Sequence, residues 1–264
     1  MIDFHNHILP NIDDGSKSLE MSLTMLRHAA RQGITDVVNT VHYQHPKVEN
    51  EDISYKRIKK HLDKLQLELN KNNIDIKLHI GAEVFFLPNL LDVKNDPLAT
   101  FNHSNYMLIE FQTHQMPDIQ RKILYDLKIS GVTPIIAHPE RYKFVQDNIS
   151  IITDWLDAGC LIQVDAGSPL GYLGPSSKMI SERIIKNGWC HILGSDSHDD
   201  SRRNFCLEKS VNVIKSWIGD SVYPMVLDNP KAIIEGKEIV IDFEYEIEKK
   251  ANLWYKIKQK MGIK

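Results

Sequence analysis

Residues 2–10 read Ile2-Asp3-Phe4-His5-Asn6-His7-Ile8-Leu9-Pro10. The run opens as a short β-strand and ends in two histidines one residue apart, so on an extended chain both imidazoles leave from one face. A nucleotide-binding doubly wound sheet would need a glycine-rich phosphate turn directly after such an early strand. Asn6-His7-Ile8-Leu9-Pro10 contains no glycine. The preferred reading is therefore a β/α barrel, whose active sites are built where the strands end.

Working outward, short β-branched runs alternate with segments of helical period. Strands are predicted at Ile2–His5, Asp36–Val41, Ile76–Glu83, Tyr106–Phe111, Thr133–His138, Leu161–Asp165 and His191–Asp196. Helices are predicted at Ser18–Gln32, Tyr55–Asn72, Pro117–Ser130, Ile149–Ala158, Ser176–Asn187 and Phe205–Trp217. Gly33, Gly131, Gly159 and Gly188 each follow a helical pattern, where a glycine with positive φ closes the last turn. No repeat or linker divides the chain. Residues 1–240 are read as one barrel domain, with 241–264 as a basic helical extension of it.

At 264 residues the chain can bury roughly 73% of its extended surface, enough for a core without staples. Hydrophobic residues at 42% and charged residues at 25% exclude a disordered or fibrous chain. A net charge of −3 is the wrong sign for gripping a nucleic-acid backbone. No apolar run approaches membrane-spanning length, and the first residues lack the pattern of a secretory signal. Three widely spaced cysteines, Cys160, Cys190 and Cys206, fit a reducing cytoplasm better than a disulfide framework.

The twelve histidines carry more information. His5 and His7 end the first predicted strand, His42 the second, Glu83 the third, Glu110 the fourth, His138 the fifth, and Asp196 with His198 the seventh. Six of seven strands thus finish in a metal-binding side chain. In a barrel these ends converge on one mouth. So many donors exceed the three or four that one tetrahedral zinc takes. Mixed imidazole and carboxylate ligation suits manganese, iron or zinc. Two or three ions a few ångströms apart follow, an arrangement that hydrolyses phosphate esters. The other histidines, His45 among them, carry no strand-end signal; His28 and His61 lie inside helical patterns and read as surface or packing residues.

Arg141 and Arg203 follow strand-end ligands, and a guanidinium holds phosphate oxygens bidentately; Arg202 competes for the second role. Asp13-Asp14-Gly15 reads as a turn in the first βα loop, from which one acid can reach the mouth. Asp165 also ends a strand and is read as a polar wall.

Asp3-Phe4-His5-Asn6-His7, Asp13-Asp14-Gly15, His42, Glu83, Glu110, His138-Pro139-Glu140-Arg141 and Ser195-Asp196-Ser197-His198 resemble the polymerase-and-histidinol-phosphatase (PHP) superfamily. Within it the chain is most similar to the manganese-dependent protein-tyrosine phosphatases of capsule and exopolysaccharide loci, the CpsB/CapC type. The resemblance implies a distorted seven-stranded barrel of PHP type and three ions, most often Mn2+. It implies one ion on His5, His7, Glu83 and Asp196, a second on Glu83, Glu110 and His138, and a third on Asp14, His42 and His198. Arg141 and Arg203 would bind phosphate, and His42 is grouped with them as a catalytic candidate. The implied partner is a phosphotyrosine-bearing protein, a tyrosine autokinase. One departure stands out: Thr40-Val41-His42-Tyr43 replaces the family's usual Thr-Pro-His-His, which alters the rim at Tyr43.

Two other readings stand beside this one. A histidinol-phosphate phosphatase would need a deep, lidded pocket, and a non-catalytic metal-binding module would show broken ligand positions. Tyr55–Asn72 and Tyr245–Lys264 are amphipathic enough for contacts between copies.

Overall fold

Seven parallel strands hydrogen-bond in chain order in a computed structural model of the protein, which describes residues 1–239. They are β1 (Ile2–Asn6), β2 (Asp36–Tyr43), β3 (Lys77–Phe85), β4 (Tyr106–Glu110), β5 (Thr133–Ile136), β6 (Leu161–Asp165) and β7 (Ile192–Gly194). The first and last meet: Asn6 bridges Ser197, His7 N–H donates to the Ser197 carbonyl at 2.9 Å, and Asp196 N–H donates to the His5 carbonyl at 2.7 Å. The sheet closes into a barrel at its ligand-bearing end. The extension expected over 241–264 lies outside the described residues.

Ten helices connect and cover the strands among the described residues: α1 (Leu19–Arg31), α2 (Tyr55–Lys71), α3 (Leu90–Val93), α4 (Gln120–Ile129), α5 (Lys143–Asp147), α6 (Ser150–Asp157), α7 (Gly167–Leu170), α8 (Pro175–Lys186), α9 (Leu207–Ile218) and α10 (Asp228–Ile234). Six of them match the helical periods in the sequence; α3, α5, α7 and α10 are too short to show one. Ser18 Oγ accepts the Met21 N–H and starts α1. In α2, Ile58, Leu62, Leu65 and Leu69 fall at helical spacing and form the buried stripe. Among the described residues no helix is long and apolar enough to cross a membrane.

Alternation along the strands builds the interior in layers. On β2 the inward series is Val38, Thr40, His42; on β4 it is Tyr106, Leu108, Glu110; on β6 it is Leu161, Gln163, Asp165. The first member of each belongs to an apolar plug that also holds Phe4, Phe101 and Ile135. Phe101 rests 5.0 Å from Phe4 and fills the place where a Cβ on Gly81 would stand. The last member of each series is polar and faces the mouth. β1 obeys a different phase. Its register slips between Asp3 and Asn6, so Ile2 and Phe4 join the plug while His5 and His7, of opposite parity, reach the mouth.

Two strands stop two residues short of expectation. β5 stops at Ile136 and β7 at Gly194, because His138 (φ 32°) and Asp196 (φ 45°) take left-handed backbone. Non-glycine residues in that region cluster at functional sites, where the surrounding structure fixes them.

Candidate metal centre

The mouth gathers the nine candidate ligands. His42 sits beside Glu83 in the β2–β3 register, Glu110 is the last residue of β4, and His138 and Asp196 lie two residues past β5 and β7. Asp14 and His198 come from the β1–α1 and β7–α9 loops. His7, Asp14, His42 and His198 form one group whose donor atoms lie within 4.8 Å of one another. His5, His7 and Asp196 form a second, His5, Glu83 and His138 a third, and His42, Glu83 and Glu110 a fourth.

The distances suit a divalent ion. His5 Nε2 and His7 Nε2 stand 3.3 and 3.4 Å from Glu83 Oε2, and 3.5 and 3.4 Å from Asp196 Oδ1. Donors held about 2.1 Å from one tetrahedral ion would stand ~3.4 Å apart. His42 Nε2 and His198 Nε2 each approach Asp14 Oδ1 at 3.2 Å. His138 Nε2 lies 2.7 Å from Glu83 Oε1 and 3.9 Å from Glu110 Oε1.

Seven donor atoms of the cluster also lack other employment. His5 Nε2, His7 Nε2, His198 Nε2, His42 Nδ1, Asp14 Oδ1, Glu110 Oε2 and Asp196 Oδ1 are buried with no hydrogen-bond partner. Buried polar atoms are ordinarily satisfied, so seven orphans converging on one mouth are what a set of metal donors requires. The opposite ring nitrogens are anchored. His5 Nδ1 bonds Gln163 Oε1 (3.1 Å), His7 Nδ1 bonds Asp13 Oδ2 (2.8 Å), and His198 Nδ1 bonds the Asp196 carbonyl (2.9 Å). Each anchor accepts, so the proton sits on Nδ1 and the Nε2 lone pair faces the centre.

Asp13 does more than turn the chain. Besides His7 it accepts N–H bonds from Gly15 and His42. Burial would raise its pKa, but His7 holds it at about 2. Gly15 allows this packing, since a Cβ there would stand 2.1 Å from the His7 carbonyl oxygen. Burial pushes Glu110 up to about 7, and Glu83 adds to it.

Arg141 and Arg203 converge from β5 and β7. Arg141 Nη1 donates to Asp196 Oδ2 and lies 3.5 Å from Asp165 Oδ2; Arg203 Nη2 donates to Asp196 Oδ2 at 2.5 Å. Arg202 is exposed, its backbone N–H tied to Asp199, so Arg203 is the one that reaches the mouth. Asp165 belongs to none of the donor groups; it accepts the Gly167 N–H and walls the Arg141 side.

The structure adds His45, which no strand-end signal marked, to the neighbourhood of the mouth. Its ring stacks on His42 at 4.5 Å between centroids, and its Nε2 lies 3.6 Å from Glu110 Oε2. The signal was the Pro46 that follows: proline opens the Pro46–Val48 turn and folds residue 45 back over the mouth. Lys47 from the same turn reaches Asp14 Oδ2 at 2.5 Å. Gln163, a neutral amide in mid-strand, offered no signal at all.

Fold and site together define a class: parallel β/α barrels with a histidine–carboxylate centre at the carboxyl-terminal mouth. The chain belongs to the CpsB/CapC family of capsular polysaccharide synthesis, whose model matches residues 1–235. CapC of Staphylococcus aureus is 32% identical over 247 residues, 90% of this chain and 93% of CapC. YwqE of Bacillus subtilis, a tyrosine-protein phosphatase, is 30% identical over 90% of this chain and 93% of its own. A crystal structure from a pair comprising YwqE and CpsB of Streptococcus pneumoniae, metal-dependent tyrosine phosphatases, matches with a TM-score of 0.85, covering 91% of this chain and 96% of that one. A histidinol phosphate phosphatase from Lactococcus lactis shares the fold at a TM-score of 0.55 and 13% identity, covering 83% and 95% of the two chains.

Proposed function

We propose that the chain is a metal-dependent phosphatase of protein phosphotyrosine, acting in the cytoplasm on a tyrosine autokinase that controls capsular or exopolysaccharide synthesis. One observation carries the reading: two guanidiniums and a cluster of orphaned metal donors share a single carboxylate, Asp196. A phosphate ester is the substrate that needs both. His5, His7, Glu83 and Asp196 would hold one ion, Glu83, Glu110 and His138 a second, and Asp14, His42 and His198 a third, with manganese as the preferred metal.

Bound ions supply Lewis-acid stabilisation of the phosphoryl group and lower the pKa of water. The chain supplies the rest. Arg141 and Arg203 offer planar N–H forks for the equatorial oxygens, where negative charge accumulates. Asp13 and Gln163 fix the tautomers and angles of His7 and His5. A tyrosyl leaving group has a phenol pKa near 10, so little proton donation is demanded of the protein. A thiol route has no support here. No cysteine is followed six residues later by arginine, and burial pushes the thiols of Cys160, Cys190 and Cys206 up.

The family match and the phosphatase relatives favour phosphotyrosine over histidinol phosphate, and no ligand position is missing, as a non-catalytic module would require. Turnover of a phosphotyrosine peptide against histidinol phosphate, with added manganese and then with chelator, tests the choice. Preference for histidinol phosphate would overturn it.

A further inference from the structure

A recess of about 550 Å³ opens on the β2–β3 side of the mouth, between the Pro46–Val48 turn and the end of β3. We propose that this recess seats the aromatic ring of the substrate's phosphotyrosine while the phosphate lies at the metal centre; the inference rests on the phosphatase reading above.

Continuity with the centre is the first ground. Phe85, half-buried in the recess wall, is the register partner of Glu110, a candidate metal ligand. The His45 ring is held between the two parts, stacked on His42 at 4.5 Å on one side and edge-on to Phe85 at 4.8 Å on the other. The Lys47 N–H donates to His45 Nδ1 at 3.0 Å, so the ring plane is set by the backbone. A group leaving the ligands toward β3 therefore meets two fixed aromatic surfaces, and aromatic pairs favour such offset and edge-on contacts.

Wall chemistry is the second. Val48 and Leu87 complete an apolar lining with Phe85, and Tyr43 is tied back by donating its hydroxyl to Asp96 at 3.0 Å. The lining carries Glu49 and Glu51, the cations on this side are held in pairs (Arg57 with Glu51 at 3.4 Å, Lys47 with Asp14 at 2.5 Å), and both mouth arginines stand across the centre at Asp196. This polarity orients an aryl phosphate in one way: anion toward Arg141 and Arg203, uncharged ring toward Phe85.

Full-length Phe85→Ala and Leu87→Ala variants test the assignment, with manganese content measured on each. Inhibition constants for a peptide bearing phosphonomethyl-phenylalanine and for inorganic phosphate are compared, along with kinetics on free phosphotyrosine and on phosphoserine. The expected result is a rise of about tenfold in the phosphonate inhibition constant and in the KM for phosphotyrosine, as for loss of one buried aromatic contact. Manganese content, phosphate inhibition and any phosphoserine turnover should stay at wild-type values. Equal weakening of inorganic phosphate would make Phe85 a support of the metal centre and overturn the proposal. A loss confined to peptides, with free phosphotyrosine unaffected, would place a flanking residue in the recess and also overturn it. Unchanged variants beside a normally active wild type defeat the recess alone; a wild type that leaves phosphotyrosine uncleaved defeats the phosphatase reading with it.

Discussion

His5 and Asp196 are tied to one another through the donors they share with His7 and Glu83. Replacing either with alanine should abolish turnover of a phosphotyrosine peptide and reduce bound manganese, measured by mass spectrometry, while the circular dichroism spectrum stays native. Arg141→Ala should behave differently: unchanged metal content, with a higher KM or lower kcat. Glu140 makes a separate case. It is fully buried, accepts from Asp165 N–H and Ser168 Oγ, and burial, with Asp165 adding, pushes its pKa to about 8. Between its unfolded value near 4.5 and about 8 the native state holds the extra proton, so this group makes stability fall as pH rises, by up to about 1.4 kcal/mol per pH unit. Denaturant titrations at pH 5 and pH 8 should show Glu140→Gln gaining on the wild type at the higher pH; a constant difference would mean that Glu140 is already ionised.

Among the elements, β1 and β7 are tightly constrained against each other. Gly194 passes so close to β1 that a Cβ there would stand 2.5 Å from His5 Cβ and 2.7 Å from His5 N. Gly194→Ala should therefore cost about 1–3 kcal/mol, the range for overpacking a closed interior, and should also lower metal content because the contact bears on a ligand. Wild-type denaturation and metal content would show that β7 can move aside. The elements themselves were largely legible. All seven strands and six of the helices follow the hydrophobic period, four of those helices with a glycine stop, and the ligands stand out because they recur at strand ends. What stayed hidden depends on non-periodic geometry. The left-handed backbone at His138 and Asp196 shortens β5 and β7; His and Asp enter that region more often than most residues, yet too seldom for residue type alone to mark these two positions. The slip in β1 that turns His5 and His7 to the mouth is set by pairing with β2, not by local sequence. His45 returns to the site only through the Pro46 turn.

For the whole molecule, the barrel is closed at the mouth by bonds that the ligand segments themselves make, His7 to Ser197 and Asp196 to His5. Ions bound to these segments would brace the closure, and a ligand that binds only the folded state at a hundred times its Kd adds about 2.7 kcal/mol. Calorimetry with manganese and then with chelator should show a fall in Tm of about 5–10 °C. One assay joins this bracing to chemistry: strip the purified full-length protein of metal, follow phosphate release from a phosphotyrosine peptide, and add manganese back. Silence after stripping and recovery on addition, in proportion to ions taken up, is expected if the strand-end histidines and carboxylates form a working centre. Full turnover by protein shown to be metal-free would mean that they do not.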